Sequence, residues 1–411
     1  MHYPVGTWAD RATFRPVALV EPRMLAFTFP GQGSQSPGMG RPWVDHPSWA
    51  LVAAASEASG RDVEALLLDA DADELRRTEN AQLSTYVLSL VVHDAVTTLG
   101  VSCAVAAGHS LGEYTALTAT GALSLADGVR LVTERGAAMQ AAADARPGTM
   151  AAILGADEAT VREACARAAG DVWVANLNGA GQVVIAGDAD AIAEAGSIAK
   201  ELGARKVMAL PVGGAFHTPF MAPAAARLRT ALEATTFADV EVAVVANVDA
   251  EPHRDAAGAA ARLEAQLTAP VRWQQTIDRM VADGVTTFVE LGPGTVLTGV
   301  AKRAVADGTA LAAGDPAALD AVVEAATAVG AMHLHDGEHL FAAERLVVSP
   351  AAGIFVPADL AEGEHIERGR VVGHVAGEAI RSPFRGVVKG LLAVAGERLT
   401  RSQPVAWLRT A

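Results

Sequence analysis

Val101-Ser102-Cys103-Ala104-Val105-Ala106-Ala107, followed by Gly108-His109-Ser110-Leu111-Gly112-Glu113-Tyr114, is the stretch on which the fold turns. The apolar run reads as a buried strand, and the Thr, Ala and Leu residues beyond it read as a long helix. Gly-x-Ser-x-Gly between strand and helix is a nucleophile elbow: the sharp turn lifts the serine hydroxyl clear of the sheet, and flanking glycines leave it room. The motif alone recurs by chance. Its weight depends on a base and an oxyanion hole elsewhere in the chain.

Two further stretches supply candidates. Phe29-Pro30-Gly31-Gln32-Gly33-Ser34-Gln35 reads as a strand end and a Gly-rich turn, able to offer a backbone N–H to an oxyanion. A second N–H comes from Leu111, the residue after the nucleophile. Gly213-Gly214-Ala215-Phe216-His217-Thr218-Pro219 runs from a strand towards a helix, where active sites of open α/β sheets gather, and offers His217 as the base. His109 is a neighbour of Ser110 at a sharp turn, where side chains diverge, and is expected to be structural.

The chain has 411 residues, enough for two or three domains, and 51% of them are hydrophobic. A formal charge of −15 argues against nucleic acid or an anionic membrane as partner. No uncharged apolar run approaches about twenty residues, so no membrane span is expected. Residues 1–24 read as an extension without the apolar core of a signal peptide. Two cysteines, Cys103 and Cys165, point to a reducing, cytoplasmic setting, with Cys103 a small core residue of the strand.

The rhythm along the chain is that of an α/β protein. Strands and helices alternate up to about Pro147. Strands at Met150–Leu154, Val172–Asn176, Gln182–Gly187 and Lys206–Pro211, with helices at Glu158–Ala169 and Ala189–Leu202, then give β-α-β-β-α-β. That is a ferredoxin-like unit inserted at about 149–212. The α/β pattern resumes with strands at Val240–Asn247 and Thr286–Leu291 and a helix at Pro270–Ala282. A cleft between the two units is the expected ligand site.

The C-terminal zone repeats itself. Ser349-Pro350 and Gly353 recur 33 residues later as Ser382-Pro383 and Gly386, and Gly363-Glu364 recurs as Gly396-Glu397. Two copies of one strand–turn–strand unit predict a pseudo-symmetric all-β domain at 345–411 behind a linker at 331–344. It resembles the biotinyl/lipoyl carrier domain, a flattened barrel. In that family the hairpin between the halves presents a lysine; here it reads Val375-Ala376-Gly377-Glu378-Ala379-Ile380. Lys389, the only lysine after Lys302, reads as a solvated strand residue. The tail is therefore expected to serve packing, oligomerisation or docking.

Taken together, Gln32, Ser110 and His217 in this order resemble the acyltransferase family typified by malonyl-CoA:acyl-carrier-protein transacylase and shared with polyketide synthases. Arg135-Gly136, Asn176-Leu177-Asn178 with Gly181–Gly187, Gln266–Trp273 and Glu290-Leu291-Gly292-Pro293-Gly294 carry the resemblance from Leu25 to about Ala326. It implies an α/β-hydrolase-like core with the ferredoxin-like insert, over 25–330. It also implies ping-pong transfer of malonyl from malonyl-CoA to the phosphopantetheine thiol of an acyl carrier protein, in fatty-acid or polyketide synthesis. The roles implied are Ser110 as nucleophile, His217 as base, Gln266 supporting His217, and Gln32 and Leu111 as the oxyanion hole. Arg135, Phe216, Gln82 and Asn178 are assigned to the substrate.

Whether side chain or backbone of Gln266 orients His217 is left open by the sequence. Read alone, Arg135 serves equally as a cation near a helix end. Phe216 corresponds to the bulky residue of malonyl-specific polyketide acyltransferases, although Gly214 stands where that family often has His. No cofactor or metal is implied. A substituted malonyl unit, an editing thioesterase and, for the tail, a scaffold are the alternatives. His333, His335, Asp336, Glu338 and His339 read as a solvated linker before a zinc site. Lys200, Arg205 and Lys206 are the candidate basic patch for an acidic carrier protein.

Overall fold

The computed structural model describes residues 24–179, 181–305, 308–332, 344–401 and 403–409. The strands run in chain order as β1 (Met24–Phe29), β2 (Val105–Gly108), β3 (Thr149–Leu154), β4 (Val172–Gly179) and β5 (Gln182–Gly187). Next come β6 (Lys206–Ala209), β7 (Ala243–Val245), β8 (Pro252–His253), β9 (Val285–Glu290) and β10 (Thr309–Ala312). A six-stranded sheet takes the order β10-β9-β1-β2-β7-β8, parallel but for β8. Helices cover such a sheet on both faces, so its strands are near-continuous apolar runs; β1 reads MLAFTF and is buried from Leu25 onwards. The Thr78–Thr98 helix is buried around most of its circumference and packs against the Leu125–Ala145 helix.

The insert is a separate antiparallel sheet in the order β4-β5-β3-β6, with the Glu158–Arg167 and Ala189–Glu201 helices and its own core around Ile153, Val161, Ile185 and Ala195. Asp157 caps the first of these helices, its Oδ1 accepting from Thr160 N at 2.8 Å. β4 is tied to the main body by two backbone bonds of 2.9 Å, Leu177 N to Val271 O and Val271 N to Ala175 O. The insert is therefore fixed beside the segment that carries Gln266.

The tail adds β11 (Glu344–Val348), β12 (Gly353–Pro357), β13 (His365–Ile366), β14 (Val371–Val375), β15 (Glu378–Arg381), β16 (Gly386–Leu391), β17 (Arg398–Leu399) and β18 (Pro404–Arg409). They form two antiparallel sheets, β11-β18-β16-β13 and β15-β14-β12-β17, around Phe355, Val372, Val388 and Leu408. The 33-residue repeat carries into the bonding. Ser349 and Ser382 each donate Oγ to a carbonyl two residues on, at 2.7 Å, and Glu364 and Glu397 each accept from the backbone N–H three residues before them.

Three expectations are corrected. The strand before the elbow is Val105–Gly108, not Val101–Ala107, because its ladder with β1 begins at Ala26 opposite Val105; Val101 instead makes an isolated bridge to Met332. Cys103 accordingly lies outside the strand, packed against the core, and burial raises its thiol to about 12. The long helix after the elbow is two turns, Gly112–Ala119, ended by Gly121 at φ +86°, with a second helix starting at Leu125. The histidine-bearing linker at 333–343 and the extension at 1–23 lie outside the described residues. Among the described residues no helix is long and apolar enough to cross a membrane.

The elbow sets a packing limit. A Cβ on Gly112 would stand 2.1 Å from the carbonyl oxygen of Phe29, so β1 and the elbow helix touch through a missing side chain. Gly112→Ala is expected to cost about 2–3 kcal/mol or more, because backbone atoms on both sides must part. Denaturant unfolding of the two proteins measures it.

Candidate active site

Ser110 lies two residues past the end of β2 and holds a left-handed backbone, φ +53°, which costs about 1–2 kcal/mol for a residue with a Cβ. Asn247, just beyond β7, holds the turn in place. Its Oδ1 accepts from Ser110 N and its Nδ2 donates to Gly108 O, both at 2.7 Å. His217 also has a positive φ, +61°, between β6 and the Pro219 turn. Its Nε2 lies 2.8 Å from Ser110 Oγ and its Nδ1 lies 2.8 Å from the main-chain oxygen of Gln266. The carbonyl fixes the proton on Nδ1 and leaves the Nε2 lone pair for the serine hydroxyl. Burial, and then the nearby Arg135 cation, push His217 down to about 3, so it stands neutral and ready as a base.

Gln266 thus meets the histidine through its backbone. Its buried side chain does something else: Oε1 accepts from Arg135 Nη2 at 2.9 Å, and Nε2 donates to Ser110 O at 2.9 Å and Glu113 Oε2 at 2.7 Å. Arg135 lies in the middle of the Leu125–Ala145 helix, not near its end, and is 1% exposed. A helix-dipole role at a terminus is therefore excluded. Its Nη1 donates to Gln82 Oε1 at 2.6 Å and its Nη2 to Ser110 Oγ at 3.1 Å. The guanidinium also faces the Tyr114 ring at 5.3 Å.

Gln32 lies on the Gly-rich turn after β1, and Leu111 lies in the elbow itself, next to Ser110. A Cβ on Gly31 would lie 2.5 Å from His109 O, so the Gly-rich turn abuts the elbow, and Leu111 begins the Gly112–Ala119 helix. Among the described residues neither N–H donates to a protein acceptor. Gln32, Ser110, Arg135, Met139, Phe216 and His217 line a pocket of about 90 Å³. It shares Gln32, His109 and Asn176 with a cleft of about 430 Å³ walled by Trp273 and Val300 of the body and Asn178 and Gln182 of the insert. The expected cleft between the two units is there.

Phe216 lies against Gly214, where a Cβ would come within 2.8 Å of the ring. Of the other assigned substrate residues, Gln82 sits one step back and Asn178 lines the cleft. Gln82 is fully buried and bonded to Arg135, and Asn178 Oδ1 accepts from His109 Nε2 at 2.8 Å. His109 is edge-on to Trp273 and lines both the pocket and the cleft. Sequence reasoning missed Asn247 and Glu113. Asn247 had a signal, a polar residue ending an apolar run at a strand's C-terminal end. Glu113 lay in plain view within the elbow motif. Asn176 Oδ1 and Arg135 Nε are buried without a protein partner among the described residues, and both residues line the pocket.

A strained serine bonded to a neutral, carbonyl-oriented histidine, on a parallel sheet, defines a serine-nucleophile enzyme of the α/β class. The buried cation beside the nucleophile narrows it further. Residues 26–350 match the acyl transferase domain model. The chain is 39% identical over 305 residues to the malonyl CoA-acyl carrier protein transacylase of Bacillus subtilis (strain 168), covering 73% of this chain and 96% of that protein. The same enzyme of Escherichia coli (strain K12) is 41% identical over 307 residues, 73% of this chain and 99% of that one. The acyl carrier protein S-malonyltransferase structure from Vibrio cholerae superposes with a TM-score of 0.70 at 39% identity, over 73% and 99% of the two chains. A malonyl-transacylase solved with its type II PKS acyl-carrier protein gives 0.71 at 36% identity, over 73% and 99%. The chain belongs to the acyl transferase family.

Two outcomes follow from this geometry. Asn247→Ala frees Ser110 N and Gly108 O together, and is expected to lower stability by about 1–3 kcal/mol and to slow Ser110 modification by an uncharged serine reagent. Denaturant melts and intact-mass kinetics read both. In the wild type that modification rate should stay flat from about pH 8 down to about pH 5, because a histidine with depressed pKa keeps its neutral form as acid is added. A fall with midpoint near the ordinary histidine value of about 6.5 would show that His217 is open to water.

Proposed function

We propose that the chain transfers a malonyl group from malonyl-CoA to the phosphopantetheine thiol of an acyl carrier protein by a ping-pong route through malonyl-Ser110. One observation carries it: the Arg135 guanidinium is buried and reaches to 3.1 Å from Ser110 Oγ. Malonyl has a carboxylate one carbon from its thioester carbonyl, so a cation beside the nucleophile holds that acyl group and leaves acetyl unanchored. The names of the transacylase relatives support the same donor and acceptor.

In the first half-reaction Ser110 Oγ attacks the thioester carbonyl and gives its proton to His217 Nε2. The N–H groups of Gln32 and Leu111 hold the oxyanion. Collapse expels CoA, whose sulfur takes the proton back. In the second half the carrier thiol gives its proton to His217 and attacks the ester, and Ser110 leaves and is reprotonated. Gln266 orients the imidazole through its carbonyl, and Gln82 and Gln266 hold Arg135. Asn178 lines the cleft and bonds His109. No metal or prosthetic group takes part; the pantetheine arms arrive with the substrates.

Phe216 lines the pocket and favours an unsubstituted malonyl unit, a preference of about 1–3 kcal/mol per methyl group. Exposed Arg205 and Lys206 of the insert, with Lys200, and Lys302 and Arg303 on the helix whose Val296 and Val300 line the cleft, are the cations we assign to an acidic carrier. The insert's strand order supports a ferredoxin-like subdomain over about 149–212, within a transferase domain at 25–330. The tail's two interleaved sheets support a lipoyl-like domain that carries nothing covalently and serves docking or oligomerisation. A thiol acceptor and two free cysteines suit a reducing cytoplasm. Fatty-acid and polyketide carriers fit the chemistry equally.

A short malonyl-CoA pulse should add one malonyl mass to Ser110, and carrier protein should then remove it. Arg135→Ala should reduce loading by about 10- to 100-fold, the worth of a hydrogen bond to a charged group. Rapid CoA release without carrier would instead favour a thioesterase.

A further inference from the structure

Glu113 is a buried carboxylate, 3% exposed, that the transfer scheme leaves unused. Its Oε2 accepts from Asn247 N at 3.0 Å and Gln266 Nε2 at 2.7 Å, and the same amide's Oε1 accepts from Arg135. Carboxylate, amide and guanidinium therefore form one hydrogen-bonded row, with the anion at one end and the cation that faces Ser110 at the other. Behind the carboxyl lies a separate cavity of about 20 Å³, lined among others by Glu113, His253, Arg254, Asp255 and Arg262. That volume holds one water molecule.

We propose that Glu113 is the proton-linked counter-charge of Arg135: ionised while the guanidinium is free, and protonated when a malonyl carboxylate occupies it. This rests on the malonyl reading above. The physical reason is charge balance. One buried cation matches one buried anion, and a second carboxylate arriving at Arg135 leaves an uncompensated negative charge among buried groups. The cheapest relief is a proton from bulk water, taken through the small cavity onto Oε1, since Oε2 already accepts two donors. Burial pushes the Glu113 carboxyl up to about 7, against the hydrogen bonds from Gln266 and Asn247. Asp249 pushes it further up and Arg135 pulls it down. A ligand that neutralises Arg135 removes that downward pull. The other charged groups facing it are those around the cavity: His253, Arg254, Asp255 and Arg262.

The test is calorimetric binding of malonyl-CoA to the Ser110→Ala protein in buffers of different ionisation enthalpy. Proton uptake is expected near neutral pH, with a Kd that weakens by up to about tenfold per unit above about pH 7. Adding Glu113→Gln should abolish the uptake and flatten the Kd. Infrared difference spectra of the single variant should gain a protonated carboxyl stretch on binding, which separates Glu113 from His217 and serves if the double variant does not fold. Binding without proton uptake, or uptake that survives Glu113→Gln, overturns the proposal alone. No binding, together with no malonylation of the wild type, overturns the malonyl reading and this proposal with it.

Discussion

A guanidinium buried among apolar side chains must find acceptors, and much of this molecule is arranged around that need. Arg135 receives Gln82, Gln266, Ser110 and the face of Tyr114, drawn from three helices and the elbow. Two of those partners are fixed in turn: Gln266 by Glu113 and Ser110 O, and Gln82 by the sulfur of Met139. Flipping the Gln266 amide would set its oxygen against a carboxylate and its N–H₂ against a cation, so the orientation is enforced at both ends. Burial keeps His217 neutral, and the same cation adds to that effect.

The second organising constraint is backbone strain, held at two positions that meet. Ser110 and His217 both sit at positive φ, and their side chains touch at 2.8 Å. Neither is glycine, so tertiary contacts must over-determine both turns. Asn247 does this for Ser110 with two hydrogen bonds. For His217 the bond to the Gln266 carbonyl and the Thr218 Oγ1 bond to Ala215 O, 2.6 Å, play that part. Because β4 bonds to the Val271 segment, the insert and the base are registered to one loop.

What the sequence shows plainly is what local chemistry encodes. Gly108-His109-Ser110-Leu111-Gly112 marks the elbow because two glycines are sterically obligatory there, and the β-α-β-β-α-β order is visible in apolar runs and caps such as Asp157. Strand ends are less legible. Val101 to Ala104 is as apolar as the residues after it, yet only pairing with Ala26 onwards decides where β2 starts. Partners far apart in the chain are hidden altogether: Asn247 meets Ser110 across 137 residues and Glu113 meets Gln266 across 153. Main-chain roles are equally silent, since any residue has a carbonyl, so nothing in the letters says that Gln266 serves His217 through its backbone.

The tail shows the opposite balance, because its repeat writes long-range pairing into the sequence. A shift of 33 residues carries β12 onto β16, β13 onto β17 and β14 onto β18, and brings Arg345–Val348 onto β15. The sheet β11-β18-β16-β13 takes its outer strands from the first copy and its inner pair from the second; the other sheet reverses this. Neither copy can close a sheet alone, so the two halves are one cooperative unit. The buried Ser349 and Ser382 hydroxyls, each bonded two residues on, are the same corner built twice. Such a unit presents its β14–β15 hairpin at Ala376 and Gly377, both at positive φ, whatever residue sits at the tip. That tip reads Val375-Ala376-Gly377-Glu378, so the corner built by the repeat is kept with small residues and no lysine at its turn.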